Sequence, residues 1–118
     1  MSVSAVDLPR LDSKYGVSST DSADYQKNGH ILLRGVASPV ELDVYHPVIG
    51  TATGRHNTEK RDLKDRDTYG KAFLQVMNLW RHDEGVKQFT LARRFAQIAA
   101  DLMGVNAVRL YHDQALYK

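Results

Sequence analysis

The sequence predicts an α+β fold for a chain of 118 residues, because helix and strand patterns occur along the same chain. The clearest helix lies in TLARRFAQIAADLMG, which Gly104 terminates and whose apolar residues recur at helical spacing: Leu91, Phe95, Ile98, Ala99 and Leu102. Ser38-Pro39 predicts the start of another helix. Strands are predicted at residues 30–34 and in the closing segment RLYHDQALYK, residues 109–118.

The N-terminal residues 1–18 predict a flexible leader, because small, polar and apolar residues alternate there without a regular period. The domain is expected to occupy residues 19–118. A short helix should follow the leader and stop at Asn28-Gly29, and its candidate N-caps are Ser19, Thr20, Asp21 and Ser22.

The segment HILLRGV predicts a buried strand at residues 30–34 that ends in a turn at Gly35. Ser38 should then cap a helix, with Pro39 at its first position and Glu41 completing a capping box. Two side chains of this helix are expected to turn inward, Leu42 and Tyr45, and two residues should limit its length, Pro47 and Gly50.

The middle of the chain is less regular. GRHNTEKRDLKDRDTYG is dense in charge and predicts a solvated helix end or loop, whereas KAFLQVMNLW is apolar but fits neither the helix nor the strand period, so both remain open. In the closing segment, read as extended chain, polar side chains fall on both faces. Neither face is therefore a plain core face.

Composition limits the function. Hydrophobic residues make up 42% and charged residues 25%, which predicts a folded domain. Sixteen Lys and Arg against fourteen Asp and Glu give a net charge of +2, with no basic footprint for nucleic acid. The absence of cysteine excludes disulfides and thiolate metal sites, and without a long apolar run we expect a soluble, cytoplasmic protein with no membrane partner.

No catalytic or metal motif occurs in the sequence. A strand-borne His-x-Asp pair would place two ligands on one face, but His82-Asp83 and His112-Asp113 are adjacent and diverge. The histidines are interpreted as surface or supporting residues, and no catalytic residue is assigned. Phosphate loops, HExxH and the G-x-S-x-G elbow are also missing from the sequence.

One pattern resembles a DNA-binding element. FAQIAADLMGVNAVRLY echoes a helix-turn-helix, but the spacing from Ala99 to Gly104 is one position too long and the residues that follow suit a strand. Arg93 and Arg94 are expected on the solvated face of the preceding helix. A helix-turn-helix-like regulator stays an alternative function, as does a stand-alone interaction module.

Three segments together resemble the phytanoyl-CoA dioxygenase family of iron(II)- and 2-oxoglutarate-dependent oxygenases. The match covers residues 24–118, most of the chain, in the order of the family's N-terminal part, and its segments are YQKNGHILLRGVASPVEL, FLQVMNLWRHDEGVKQFTLARRFAQIAADLMGV and VRLYHDQALYK. The resemblance implies helices followed by the first strands of a double-stranded β-helix, a jelly-roll or cupin-like barrel that is incomplete here.

The resemblance also implies a function. Similar proteins use iron(II), 2-oxoglutarate and dioxygen to hydroxylate or otherwise oxidise an unactivated C–H bond of a small molecule. Their His-x-Asp pair, second His and Arg would all lie beyond Lys118, so we expect a chain that is inactive alone and binds neither iron nor 2-oxoglutarate tightly.

Two residues of the closing segment are the cosubstrate candidates. Lys118 would border the 2-oxoglutarate pocket of the similar proteins, and Gln114 shares its face and is the weaker candidate. For Trp80 and Gln75, core packing and sheet-edge hydrogen bonding are favoured over substrate contact. A sheet without its remaining strands is further expected to self-associate through unpaired edges.

Overall fold

The computed structural model describes residues 8–118. The elements of this part are α1 Ser19–Asn28, α2 Pro39–His56, α3 Thr68–Ala72, β1 Leu74–Met77, α4 Glu84–Thr90, α5 Arg93–Met103 and β2 Gln114–Tyr117. Two 3-10 turns, Leu63–Asp65 and Leu79–Arg81, precede α3 and α4 respectively. The described chain is thus mixed helix and strand, as predicted, and its sheet has two strands rather than the layers of a jelly roll.

Side-chain caps fix the start of the first two helices. Before α1, the Ser18 hydroxyl accepts from the backbone N–H of Asp21 at 3.0 Å, and the Asp21 carboxylate accepts from the N–H of Ser18 at 3.1 Å. The predicted helix is confirmed, but its cap lies one residue before the candidates. The predicted capping box of Ser38 and Glu41 on α2 is confirmed.

Helix α2 is longer than the sequence predicts. It continues through Pro47 to His56, so the expectation that Pro47 and Gly50 limit it is wrong. Pro47 removes one backbone hydrogen bond of the helix. Packing of the following residues into the core, including Val48 and Ile49, offsets this loss. Tyr45 is buried as expected, whereas Leu42 is 48% exposed and does not turn inward.

The predicted strand at residues 30–34 is wrong. These residues form no regular element, and Leu32 is 75% exposed. Its neighbours Ile31 and Leu33 are half-buried, so burial alternates along the apolar run without a regular strand. Gly35, where a turn is predicted, has a φ of 68°, and the chain bends at residues 34, 36 and 37 around it.

Residues 8–18 pack against the core, where a loosely attached leader was expected. Leu8 and Leu11 are 5% and 1% exposed, and the buried Tyr45 hydroxyl donates to the carbonyl of Pro9 at 2.6 Å. Burial of these two leucines attaches the segment to the core. The sequence does not predict this burial, because so short a segment shows no hydrophobic period. Residues 1–7, the rest of the predicted leader, lie outside the described residues.

The sheet resolves the ambiguous middle segment. KAFLQVMNLW contains the end of α3, all of β1 and the start of a 3-10 turn, so both periods contribute. β1 pairs antiparallel with β2, Val76 opposite Ala115 on the core face and Met77 opposite Gln114 on the exposed face. The predicted closing strand is therefore confirmed at residues 114–117, while residues 105–113 are irregular.

The core consists of two clusters that share Val48 and Ile49 of α2. The first joins the N-terminal segment to α2 and α5: Leu8, Leu11, Tyr45 and Ala92. The second joins α2 to the sheet and α4: Ala52, Val76, Leu79 and Val86. None of the helices in residues 8–118 combines the length and the apolar character that crossing a membrane requires.

Helix α5 ends as predicted at Gly104, which has a φ of 70°. Ile98 of the predicted stripe is buried and Phe95 packs on the first cluster, but Leu91 precedes the helix and is 45% exposed. No helix follows Gly104 in residues 105–118, so the recognition helix that a helix-turn-helix requires is not formed there.

Candidate functional site

Gln114 and Lys118, the two predicted cosubstrate residues, lie at opposite ends of β2. Gln114 is the first residue of the strand, Lys118 follows its last, and both side chains are exposed. Four residues of extended chain span about 13 Å, so the two side chains start far apart. The structure therefore does not bring these residues together at one point.

Gln114 lines a cavity of about 260 Å³ between α2, α4 and the start of β2. Ligand pockets usually measure about 300–1,000 Å³, so this one fits only a small molecule. Its wall is mostly apolar, with polar groups from Thr90, Asp113 and Gln114; the apolar lining residues are Ile49, Leu79, Val86, Phe89 and Ala115. Lys118 is not part of this lining.

Asp113 organises the wall of the cavity. Its carboxylate accepts from the backbone N–H of Leu79 at 2.9 Å and of Trp80 at 3.1 Å, and from the hydroxyl of Thr90 at 3.2 Å. Its backbone carbonyl accepts from the N–H of Asn78 at 3.0 Å. Asp113 thus ties the start of β2 to the 3-10 turn and to the end of α4.

This carboxylate has a positioning role. Each of its two oxygens already accepts a hydrogen bond, and one of them accepts two, so the carboxylate is held in place by the 3-10 turn and by α4. Sequence reasoning missed the residue, because its partners are 23 to 34 positions away. No local pattern reveals such a contact.

In both histidine-aspartate neighbours, the aspartate side chain is engaged in hydrogen bonds within the fold. Asp83 caps α4, where its carboxylate accepts from the N–H of Val86 at 2.9 Å. The exposed His112 packs edge-on against Tyr111 at 4.9 Å. Among residues 8–118, no group of three or more His, Asp or Glu side chains is arranged to hold a metal ion.

Arg94 corrects another prediction. Arg93 is exposed as expected, but Arg94 is only 7% exposed and forms an ion pair with Glu41 of α2 at 2.8 Å. The hydrogen bonds from Arg94 lower the pKa of Glu41 from its ordinary 4.5 to about 2, and the same pair raises the pKa of Arg94. A polar side chain on a helix was assigned to solvent because the sequence does not show its buried partner.

Trp80 takes the core position that is favoured for it, whereas the sheet-edge hydrogen bonding of Gln75 stays a prediction. Trp80 packs on the second cluster and lies 5.4 Å under the guanidinium of Arg81, while its buried Nε1 finds no hydrogen-bond partner in the described part of the chain. Gln75 is exposed on β1, opposite Leu116. Neither residue lines the cavity beside Gln114.

Comparison of the chain with family models, with curated proteins and with solved structures gives no match. The resemblance to the phytanoyl-CoA dioxygenase family therefore depends on the three sequence segments alone.

Proposed function

We propose that the chain is the N-terminal part of an iron(II)- and 2-oxoglutarate-dependent dioxygenase of the phytanoyl-CoA dioxygenase type, a hydroxylase of a small molecule in the cytoplasm. The observation that carries the proposal is the β1–β2 pair, which is a sheet open at both edges in residues 8–118. Strands with unpaired edges suit the beginning of a larger sheet, and β2 belongs to the last of the three resembling segments.

The order of the elements gives further support. A helix before residue 30, a helix capped at Ser38-Pro39 and a helix over residues 93–103 precede β2, in the order of the family's N-terminal part. The missing strand at residues 30–34 is the point at which the chain departs from that pattern.

The described residues do not fit iron(II). They include no cluster of three ligating side chains, so a catalytic metal in the proposed enzyme would need ligands from additional polypeptide. We derive no catalytic step from residues 8–118. Their proposed contribution is the helical support of the barrel and one strand beside the cosubstrate.

Lys118 is the stronger proposed contact to 2-oxoglutarate. Its ammonium is suited to pair with a carboxylate, and its exposure at the end of β2 leaves it free to do so. Gln114 offers an amide about 13 Å away along the strand and is the weaker proposed contact.

The coding sequence that follows the codon for Lys118 tests the proposal directly. We expect a loop rich in proline and glycine, then a His-x-Asp pair, and later a second His and an Arg. A following sequence without these residues would refute the oxygenase.

In the longer protein that carries the proposed metal ligands, Lys118→Ala should raise the KM for 2-oxoglutarate at least about tenfold, because one charged contact is lost. Gln114→Ala should have a smaller effect on this KM. Lys71→Ala, on α3, is the matched control and should leave the KM unchanged. Coupled 2-oxoglutarate decarboxylation measures all three. Equal effects of the Lys118 and Lys71 variants would remove Lys118 from the site.

A further inference from the structure

Two histidines from distant parts of the sequence lie side by side. The ring centres of His56 and His82 are 5.2 Å apart, and their planes differ by 27°. His56 is the last residue of α2, and His82 lies between the 3-10 turn Leu79–Arg81 and Asp83, the N-cap of α4. The pair thus spans the junction between two elements of the second cluster.

The backbone around both histidines is held by the core. One turn before His56, Ala52 and Thr53 are buried, at 0% and 4% exposure. The backbone N–H of His82 donates to the carbonyl of Leu79 at 2.9 Å, and Leu79 is itself 1% exposed. The two imidazoles therefore meet because the fold places their backbones together, and a shared ligand requires only that the two rings turn.

The two rings are stacked, and the separation of their centres matches that of a shared metal ion once both rings turn a nitrogen toward it. With zinc about 2.1 Å from one nitrogen of each ring and a tetrahedral angle between them, the ring centres stand about 5 Å apart. The terminal torsion of a histidine is broad, so each ring can turn a nitrogen toward the common space. Because His82 is exposed and His56 is half-buried, an ion can reach this space from solvent.

The surrounding chemistry selects the kind of ion. Imidazole nitrogen is a ligand for zinc, copper and nickel, whereas magnesium and calcium prefer oxygen. The neighbouring Asp83 is already engaged with the N–H of Val86 at 2.9 Å. With no third protein ligand grouped with the pair in residues 8–118, water would fill the remaining positions.

We propose that His56 and His82 together chelate one divalent transition-metal ion of the zinc or copper type. Such an ion links the end of α2 to the turn before α4, and it stabilises the folded chain because the unfolded chain does not hold the two rings together. The proposal stands independently of the oxygenase proposal, since it uses other residues.

Calorimetric titration of the folded 118-residue protein with Zn(II) measures the affinity and stoichiometry of the site. We expect one zinc per chain, a higher melting temperature, and no binding of Mg(II). His56→Gln and His82→Gln should each weaken zinc binding at least about tenfold, and the double variant little more, because either change abolishes chelation. With Cu(II), electron paramagnetic resonance should show nitrogen ligation from both rings in the wild type.

His46→Gln is the matched control, since His46 is exposed on the same helix α2. It should bind zinc as the wild type does. Circular dichroism of each variant confirms that the fold is intact before binding is compared. Absence of saturable zinc binding, an effect of only one of the two histidines, or an equal effect of His46→Gln would overturn the proposal.

Discussion

Arg94 joins four separate parts of the chain through one side chain. Its Nε donates to the carbonyl of Ser13 at 3.0 Å, and Nη1 donates to the carbonyl of Val36 at 2.9 Å. Both Nη atoms also bind the carboxylate of Glu41, at 2.8 and 3.0 Å. The buried guanidinium on α5 thus finds hydrogen-bond acceptors on α2 and on two irregular segments. Removing one partner would leave a buried unpaired charge, which lowers the free energy of unfolding.

The pair predicts a stability that depends on pH. The pKa of Glu41 falls from 4.5 to about 2 on folding, chiefly because Arg94 donates to the carboxylate. A carboxyl that is more acidic when folded stabilises the fold above pH 4.5, and this contribution disappears as the pH falls to about 2. We expect the wild type to lose up to about 3 kcal/mol of its free energy of unfolding from this group.

Urea unfolding of the wild type and of Glu41→Gln between pH 7 and pH 2 measures the effect. The variant should be about 2 kcal/mol or more less stable at pH 7, and the difference should vanish toward pH 2. Asp24→Asn, exposed on α1, should run parallel to the wild type. A difference in free energy of unfolding between the wild type and Glu41→Gln that stays constant with pH would contradict this account.

At the scale of elements, the sequence predicts what neighbouring residues decide. The caps at Gly29 and Gly104 and the capping box at Ser38 follow from local chemistry, and they are confirmed. The length of α2 and the fate of residues 30–34 depend on which segments become neighbours in the folded chain, and there the predictions are wrong. Asp113 was missed at the cavity for the same reason.

The contact between α2 and α4 gives a prediction that separates packing from helix propensity. A Cβ added at Gly85 would stand 2.6 Å from Cγ1 of Val48, whereas one added at Gly50 would meet nothing within 4 Å. Gly85→Ala should therefore lower the free energy of unfolding by about 1–3 kcal/mol. Gly50→Ala should raise it by about 0.5–1 kcal/mol, because alanine favours a helix.

Denaturant unfolding of both variants at one pH supplies the comparison. Both substitutions add the same methyl group to a helix, so their opposite signs isolate the close approach of α4 to α2. Stabilisation by Gly85→Ala would mean that Val48 moves aside at no cost.

For the molecule as a whole, the small sheet leaves apolar surface beside its open edges. On the exposed face, Met77 and Leu116 are 41% and 47% exposed and lie diagonally across β1 and β2.

The general α+β class could be predicted from the sequence, since it needs only the helix and strand periods of the apolar residues. The extent of the sheet could not, because strand pairing joins residues about forty positions apart.

The open edges predict self-association of the chain. Sedimentation velocity over a range of protein concentrations should show dimers or larger species at the higher concentrations, since unpaired edges and an apolar face favour pairing. Leu116→Lys should shift the population toward monomer. Leu63→Lys serves as the control, because Leu63 is 58% exposed but lies outside the sheet. Monomers at every concentration would disprove the prediction.

Val48 and Ile49 belong to both clusters of the core. A change of volume at either position must therefore be accommodated by the N-terminal segment and by the sheet together. A substitution at Val48 or Ile49 should therefore be accompanied, during evolution, by compensating substitutions in both clusters of the core.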